Sequence, residues 1–342
     1  MNIPVARALS FPSDHSLGTL EHVVPEKGSH GRIDMQVEAR GLVTVPGWGK
    51  RQLVMDDGVA LDLADLVTLQ ADDLQSLDMP YYTTDADLAY VRDLTGLEEL
   101  NLAGTKVSDT GLVHLQGLSS LARLDLSGTG VAGPGLTYVS QLPALVILGL
   151  FDTAITDAGL AHLHGFASLQ DVSLGQTAIT DAGLTVLREL PALLSVSVEE
   201  TSITDVGLAH LGQLAALDEI DVSSTHISDA GLEHLTKSSA LRRLNLADTA
   251  IGDKGLMPLR ALQGLVWLNL TRTKVGDTGL LHLQNLTTLG ELYLGDTAIG
   301  DAGLGYLRYL HNLGELDLSA THVGLAAIAI LQQELPQCHI RY

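Results

Sequence analysis

Threonine stands at every twenty-fourth position from Thr105 onward: Thr105, Thr129, Thr153, Thr177, Thr201, Thr225, Thr249, Thr273, Thr297 and Thr321. A fixed period of this length leaves few folds open. Each unit is one supersecondary segment, too small to bury its own apolar face, so burial comes from stacking on the next unit. Such a solenoid presents an extended, nearly one-dimensional surface rather than a pocket. The period therefore points to an interaction module before any motif is considered.

Alignment at this period brings the apolar residues into columns. Leucine fills the first, from Leu97 and Leu121 to Leu289 and Leu313. A second column runs Leu100, Leu124, Leu148, Val172, Val196, Ile220, Leu244, Leu268, Leu292 and Leu316, and a third runs from Leu102 to Leu318. This LxxLxL pattern predicts a short strand, whose alternation turns the residues beside the last two leucines away from the core. Val or Ile follows each threonine, as at Ile155, Ile179 and Ile203, and then comes a segment such as Asp157, Gly159, Leu160 and Leu163. Its apolar spacing predicts a short helix packed back on the strand, with Asp or the preceding Thr as N-cap.

These columns resemble the leucine-rich-repeat family, in particular the bacterial 24-residue form LxxLxLxxTxITDxGLxxLxxL, over roughly residues 71 to 342. The resemblance implies a curved α/β solenoid, a parallel sheet on its concave side and short helices on its convex side. The family's usual asparagine, which bonds backbone groups of neighbouring turns, is threonine at all ten positions here. A hydroxyl both donates and accepts, so a threonine ladder is expected to serve the same loops. Gly133 and Pro134 replace the usual Asp, and Ser238 stands in a leucine position, so the second and sixth helical segments are expected to be less regular.

The ends of a solenoid need covering. Residues 1–60 lack the period and contain alternating runs around Pro46, Gly47, Trp48 and Gly49, which predict a β-rich N-terminal cap. The solenoid is expected over 61–342, with a degenerate first repeat at 61–94, ten strand units from Leu97 and a C-terminal cap at 322–342. In the first repeat Asp85 follows Leu77 by eight positions where later units use nine. Residues 62–77 are expected to supply a helix and a strand. Near the C-terminus a helix should end before Pro336 and lead into a closing strand, with Cys338 a small buried apolar residue.

Aromatic residues are only 4% of the chain, as expected for a core of stacked aliphatic side chains, and no apolar run is long enough to span a membrane. The lone Cys338 excludes an internal disulfide framework, and the N-terminus carries no secretory pattern, which together predict a cytoplasmic setting. The net charge of −22 disfavours nucleic acid as a partner and favours a basic protein or peptide. A monomer is expected.

Binding residues should lie in the exposed strand columns. One runs Glu99, Arg123, Ile147, Asp171, Ser195, Glu219, Arg243, Trp267, Glu291 and Glu315, and the next from Asn101 to Asp317. Strands about 4.8 Å apart bring neighbouring repeats into contact, so Arg243, Trp267 and Tyr293, with Arg242, Asn269 and Arg272, form one patch rich in the residue types of interface hot spots. Ile147 and Phe151 form a second, apolar pair. Asp171, Glu199, Glu200, Asp218, Glu219 and Asp221 supply a concentrated negative field.

Two recurring columns imitate chemistry. His114, His162, His210, His234 and His282 lie along a flank where ligands do not converge, and the Asp column from Asp109 to Asp301 reads as helix N-caps. No metal or cofactor is expected. No nucleophile–base, zinc or phosphate-loop motif is present, so the expected function is a non-enzymatic protein-binding scaffold. The alternatives are an acidic decoy of a basic enzyme and a self-assembling solenoid without a ligand.

Overall fold

The computed structural model describes residues 7–13, 16–24, 32–40, 42–45, 49–55 and 62–342. By contacts the chain divides into two compact units, the first ending at Ile155 and including Ala161–Leu169, the second formed by Thr156–Leu160 and Gln170–Tyr342.

In the first unit, β1 (Arg7–Ser10) pairs antiparallel with β4 (Leu42–Val45). Strand β2 (Gly18–Val24) lies antiparallel between β3 (Arg32–Glu38) and β5 (Lys50–Met55). Pro46, Gly47 and Trp48, on which the expected turn falls, lie outside the described residues. Strand β5 then pairs in parallel with β6 (Ser76–Asp78), with Leu53 opposite Leu77. The repeat ladder continues through β7 (Glu99–Asn101), β8 (Arg123–Asp125) and β9 (Ile147–Gly149). The division between cap and repeats at residue 60 stays a proposal.

The second unit carries eight parallel strands: β10 (Asp171–Ser173), β11 (Ser195–Ser197), β12 (Glu219–Asp221), β13 (Arg243–Asn245), β14 (Trp267–Asn269), β15 (Glu291–Tyr293), β16 (Glu315–Asp317) and β17 (His339–Arg341). The register follows the sequence period, with Val196 opposite Ile220, Ile220 opposite Leu244 and Leu244 opposite Leu268. The middle residue of each strand is buried and its two neighbours face the opposite side. This is the alternation that the LxxLxL columns encode. A parallel sheet of many short strands with one-turn helical segments is the leucine-rich-repeat solenoid architecture.

The helical segments are shorter and tighter than ordinary α-helices. Gly183–Glu189, Gly231–Leu235 and Asp253–Leu256 are 3-10, while Asp205–Leu211 is α. A 24-residue unit that also holds a strand and two turns leaves room for little more than one helical turn.

The periodic threonine does not form a ladder between turns. In all ten units its hydroxyl donates to the strand carbonyl three residues earlier in its own repeat, at 2.5–2.8 Å: Thr105 to Leu102 O, and so on to Thr321 and Leu318 O. The short side chain reaches only its own turn. Neighbouring turns are instead joined by main-chain groups, as where Ser224 N–H donates to Ala247 O at 2.8 Å.

The aspartate column also behaves differently from the expectation. Asp181 is not the N-cap of its own segment. Its Oδ1 accepts from Thr204 N–H at 2.8 Å and Gly207 N–H at 2.9 Å, and its Oδ2 from Thr204 Oγ1 at 2.6 Å, all in the next repeat. Asp157, Asp205 and Asp229 reach Thr180, Ser228 and Gly252 in the same way. The preceding threonine does cap where expected at Thr204, whose hydroxyl accepts from Val206 N–H, while glycines such as Gly252 and Gly276 and alanines such as Ala182 and Ala230 hold the N-cap elsewhere. The glycine two residues after each Asp follows from this bridge: a Cβ on Gly207 would lie 2.5 Å from Asp181 Oδ1.

In the second helical segment, Asp109 accepts from the N–H groups of Ala132, Gly133 and Gly135, and Gly133 adopts φ 129°, so the chain enters Leu136–Val139 by its own route. The sixth segment is not irregular. Ser238 sits just beyond Gly231–Leu235, 1% exposed, and its hydroxyl has no partner among the described residues. The shortened first repeat loses its residue in the turn between Met79 and Thr83. Thr83 O accepts from Lys106 N–H as Val107 O does from Gly130 N–H, which places Thr83 in the Val/Ile column, fully buried and with no partner for its hydroxyl among the described residues. Residues 62–77 include the 3-10 segment Leu63–Thr68 and the start of β6. At the C-terminus the helix Leu325–Glu334 precedes β17, and Cys338 is buried, its thiol pushed up to about 11 mainly by burial and then by Glu315.

Candidate protein-binding face

The solvent-facing columns of the second unit are set by strand register. Arg243 pairs with Trp267 and Trp267 with Glu291, while Asn245, Asn269 and Tyr293 occupy successive rungs of the adjacent column. The Arg243 guanidinium lies over the Trp267 ring, 4.7 Å from its centroid, and the Trp267 and Tyr293 rings meet at 5.5 Å with planes tilted by 47°. Tyr293 donates its hydroxyl to Glu291 Oε2 at 2.8 Å. Burial, together with the Glu291 and Glu315 carboxylates, pushes the phenol up to about 12. The structure thus joins Arg243, Trp267 and Tyr293 in one half-buried cluster in which each aromatic ring contacts a neighbouring side chain.

The surrounding residues are tied to adjacent rungs. Arg243 pairs with Glu219 at 3.2 Å, Arg272 with Asp248 at 3.3 Å, and Arg242 Nε lies 3.9 Å from Asp218. Asn269 accepts from Thr271 N–H through its Oδ1 and shapes its own turn. Each of these arginines faces a carboxylate one repeat earlier, so Asp218 and Glu219 are ion-paired members of the expected acidic group.

Glu199, Glu200 and Asp221 are further members of this group. Glu199 is half-buried, takes the Ser197 hydroxyl and lies against Gly175, where a Cβ would come 2.4 Å from its carboxyl carbon. Burial above all, with Asp221 and Glu200 adding repulsion, holds its carboxyl above the usual carboxylate range. Glu200 accepts from Gln176 Nε2 at 2.8 Å, and Asp221 from Ser223 N–H, Ser223 Oγ and Asn245 Nδ2 at 2.7–2.9 Å. None of the three has a cationic partner among the described residues. Asp171 stands on β10 in the column of Glu219 and Arg243, opposite Ser195.

In the first unit, Ile147 and Phe151 are both half-buried, and neither ranks among its prominently exposed apolar side chains. The columns did not reveal a polar recess of about 140 Å³ lined by Gln52, Ser76, Asp78, Glu99, Asn101 and Arg123. Burial raises the Asp78 carboxyl, against the bonds it receives from Gln52 Nε2, 2.9 Å away, and from Asn101, and Glu99 adds to the rise. Gln52 and Asp78 stand outside the regular period, which hid the recess.

His210 and His282 each bury Nδ1 without a partner among the described residues, and burial, followed by Arg260, lowers the His282 imidazole. No group of three or more His, Cys, Asp or Glu side chains among the described residues is arranged to hold a metal ion. No described helix is long and apolar enough to cross a membrane.

Comparison with known proteins agrees with this architecture. A leucine-rich-repeat family model matches residues 95–115 and 237–259. Among solved structures, an internalin from Listeria monocytogenes superposes with a TM-score of 0.60 and 21% identity, covering 85% of this chain and 86% of its own. A leucine-rich-repeat protein from Leptospira interrogans does so with a TM-score of 0.55 and 17% identity, over 85% and 83%. No curated protein matches by sequence. The matched repeats and the fold are those of leucine-rich-repeat proteins.

Proposed function

We propose that the protein is a non-enzymatic scaffold that binds a protein or peptide on the strand face of its second unit. The observation that carries this reading is the Arg243–Trp267–Tyr293 cluster. The fold needs neither ring there, since the same columns hold Ser, Asp, Glu and Asn in other repeats. Large braced aromatics beside arginine are the residues that dominate binding energy in interfaces. The uncompensated Glu199, Glu200 and Asp221 support a basic partner, because complementary charge speeds encounter and selects among candidates. A shared leucine-rich-repeat fold agrees with a binding role.

The test is affinity capture from lysate of the native host at low and moderate salt. The unaltered chain is compared with a variant carrying Arg243→Ala, Trp267→Ala and Tyr293→Ala. Proteins retained at moderate salt by the former and lost by the latter would support the reading. Capture of basic proteins equally by both baits, only at low salt, would reject the cluster as the binding centre.

A further inference from the structure

The polar recess of the first unit forms where adjacent strands bring short and long side chains together. Ser76 on β6 lies between Gln52 on β5 and Glu99 on β7, and its short side chain leaves a floor between two longer ones. Ser76 is only 4% exposed, and its hydroxyl has no hydrogen-bond partner among the described residues. A buried hydroxyl left unmatched costs stability, and this one faces a recess from which a ligand can meet it.

The charges around this floor do not close on one another. Arg123 shares a column with Arg243, and each stands one repeat after a glutamate, Glu99 and Glu219 respectively. Arg243 pairs with its glutamate, whereas Glu99 is held by Lys50 of β5 at 3.0 Å, which also holds Glu98 at 2.8 Å. Arg123 is left exposed, with no carboxylate in ion-pair contact among the described residues. Asp78 is the converse: half-buried, it takes the neutral Gln52 Nε2 at 2.9 Å and pairs with no cation among the described residues. Asp125, on the strand of Arg123, accepts from Ser127 N–H at 3.0 Å and likewise has no cationic partner there. One open cation and two open carboxylates line the recess, so a ligand of either sign alone leaves the opposite charge unmet.

We propose that the recess binds a small zwitterion of the amino-acid type, its carboxylate on Arg123, its ammonium on Asp78 and a polar group on the Ser76 hydroxyl. Drug-sized ligands need about 300 Å³ or more, so a recess of about 140 Å³ takes a molecule of only a few heavy atoms. Arg123 stands two rungs, about 10 Å, from Ser76, a gap that its long side chain and such a ligand share. The recess lies in the first unit, on residues other than the Trp267 cluster, so this inference is independent of the proposed protein-binding role.

L-Serine tests it beside two molecules that each lack one of its charges, ethanolamine without the carboxylate and 3-hydroxypropionate without the ammonium. Each is titrated at neutral pH into the isotope-labelled full chain, and Kd is read by NMR from the backbone amides of β6 and β7. Serine is expected to bind more tightly than either fragment. Arg123→Gln should weaken serine and 3-hydroxypropionate about threefold to fivefold, the range of an exposed ion pair, without weakening ethanolamine. Asp78→Asn, which keeps an acceptor for Gln52, should weaken serine and ethanolamine about tenfold and spare 3-hydroxypropionate. Ser76→Val, which fills the floor, should weaken all three. Absence of serine-dependent shifts at these amides, equal binding of the three molecules, or losses that do not follow the charge removed would overturn the proposal. None of these outcomes involves Trp267, so the protein-binding reading stands or falls by its own test.

Discussion

Asp181 and Thr204 are joined across two repeats by a pair of hydrogen bonds, Thr204 N–H to Oδ1 at 2.8 Å and Thr204 Oγ1 to Oδ2 at 2.6 Å. One carboxylate thereby closes the start of the following helical segment and sets its height above the strand. The same bridge recurs at Asp157 with Thr180 and at Asp205 with Ser228. In an array whose stability is a sum over neighbours, it is an interface contact repeated along the chain.

Replacing Asp181 by Ala strands the N–H groups of Thr204 and Gly207 and is expected to destabilise the protein by about 2–3 kcal/mol. Asp181→Asn keeps one acceptor and should lose roughly half as much. The urea midpoints of the two variants check this. Equal losses would show that charge, not geometry, matters at this position.

Ser238 presents the opposite case. Its hydroxyl is buried and unpartnered in the described structure, so Ser238→Ala should raise stability by about 1 kcal/mol, read as a higher thermal midpoint. A lower midpoint would mean that the hydroxyl is satisfied.

The turn after each strand from β7 to β16 passes through a left-handed residue, Gly104 at φ 68° in one repeat but Gln176 at 52° and Arg272 at 54° in others. A Cβ on Gly104 meets no atom within 4 Å, so Gly104→Ala isolates the conformational cost and should destabilise by about 1 kcal/mol. No change in unfolding free energy would show that the turn relaxes.

Tyr293 is held neutral to unusually high pH. Because its folded value, about 12, exceeds the ordinary value of 10.0, its contribution to stability is complete below pH 10 and is lost as pH rises through about 12. The ultraviolet difference titration between the parent and Tyr293→Phe should show one phenol with its midpoint near 12. Glu291→Gln should lower that midpoint by removing the charge that the phenol's hydroxyl faces. A midpoint near 10 in the parent would contradict the geometry.

The period made the strands legible because LxxLxL fixes both spacing and face, and the buried Val196, Ile220 and Leu244 lie where it puts them. The same period could not say where a polar side chain would aim. Thr201 turns inward on its own strand and Asp181 forward to the next repeat, although each stands beside backbone groups of both. Side-chain reach decides between these, and reach is a property of three-dimensional stacking. At the site, Arg243, Trp267 and Tyr293 were visible because adjacent rungs are neighbours by register. The pairing of Glu219 with Arg243 was not, since it depends on which way each long side chain leans. The recess around Asp78 was hidden because Gln52 belongs to a non-repeating strand.

The most direct test of the central claim is calorimetric titration of a captured partner against the parent and Trp267→Ala at two salt concentrations. The account expects Trp267→Ala to weaken binding by about thirtyfold at both, the loss of a hot-spot residue worth about 2 kcal/mol. An affinity unchanged by Trp267→Ala would place the binding surface elsewhere on the molecule.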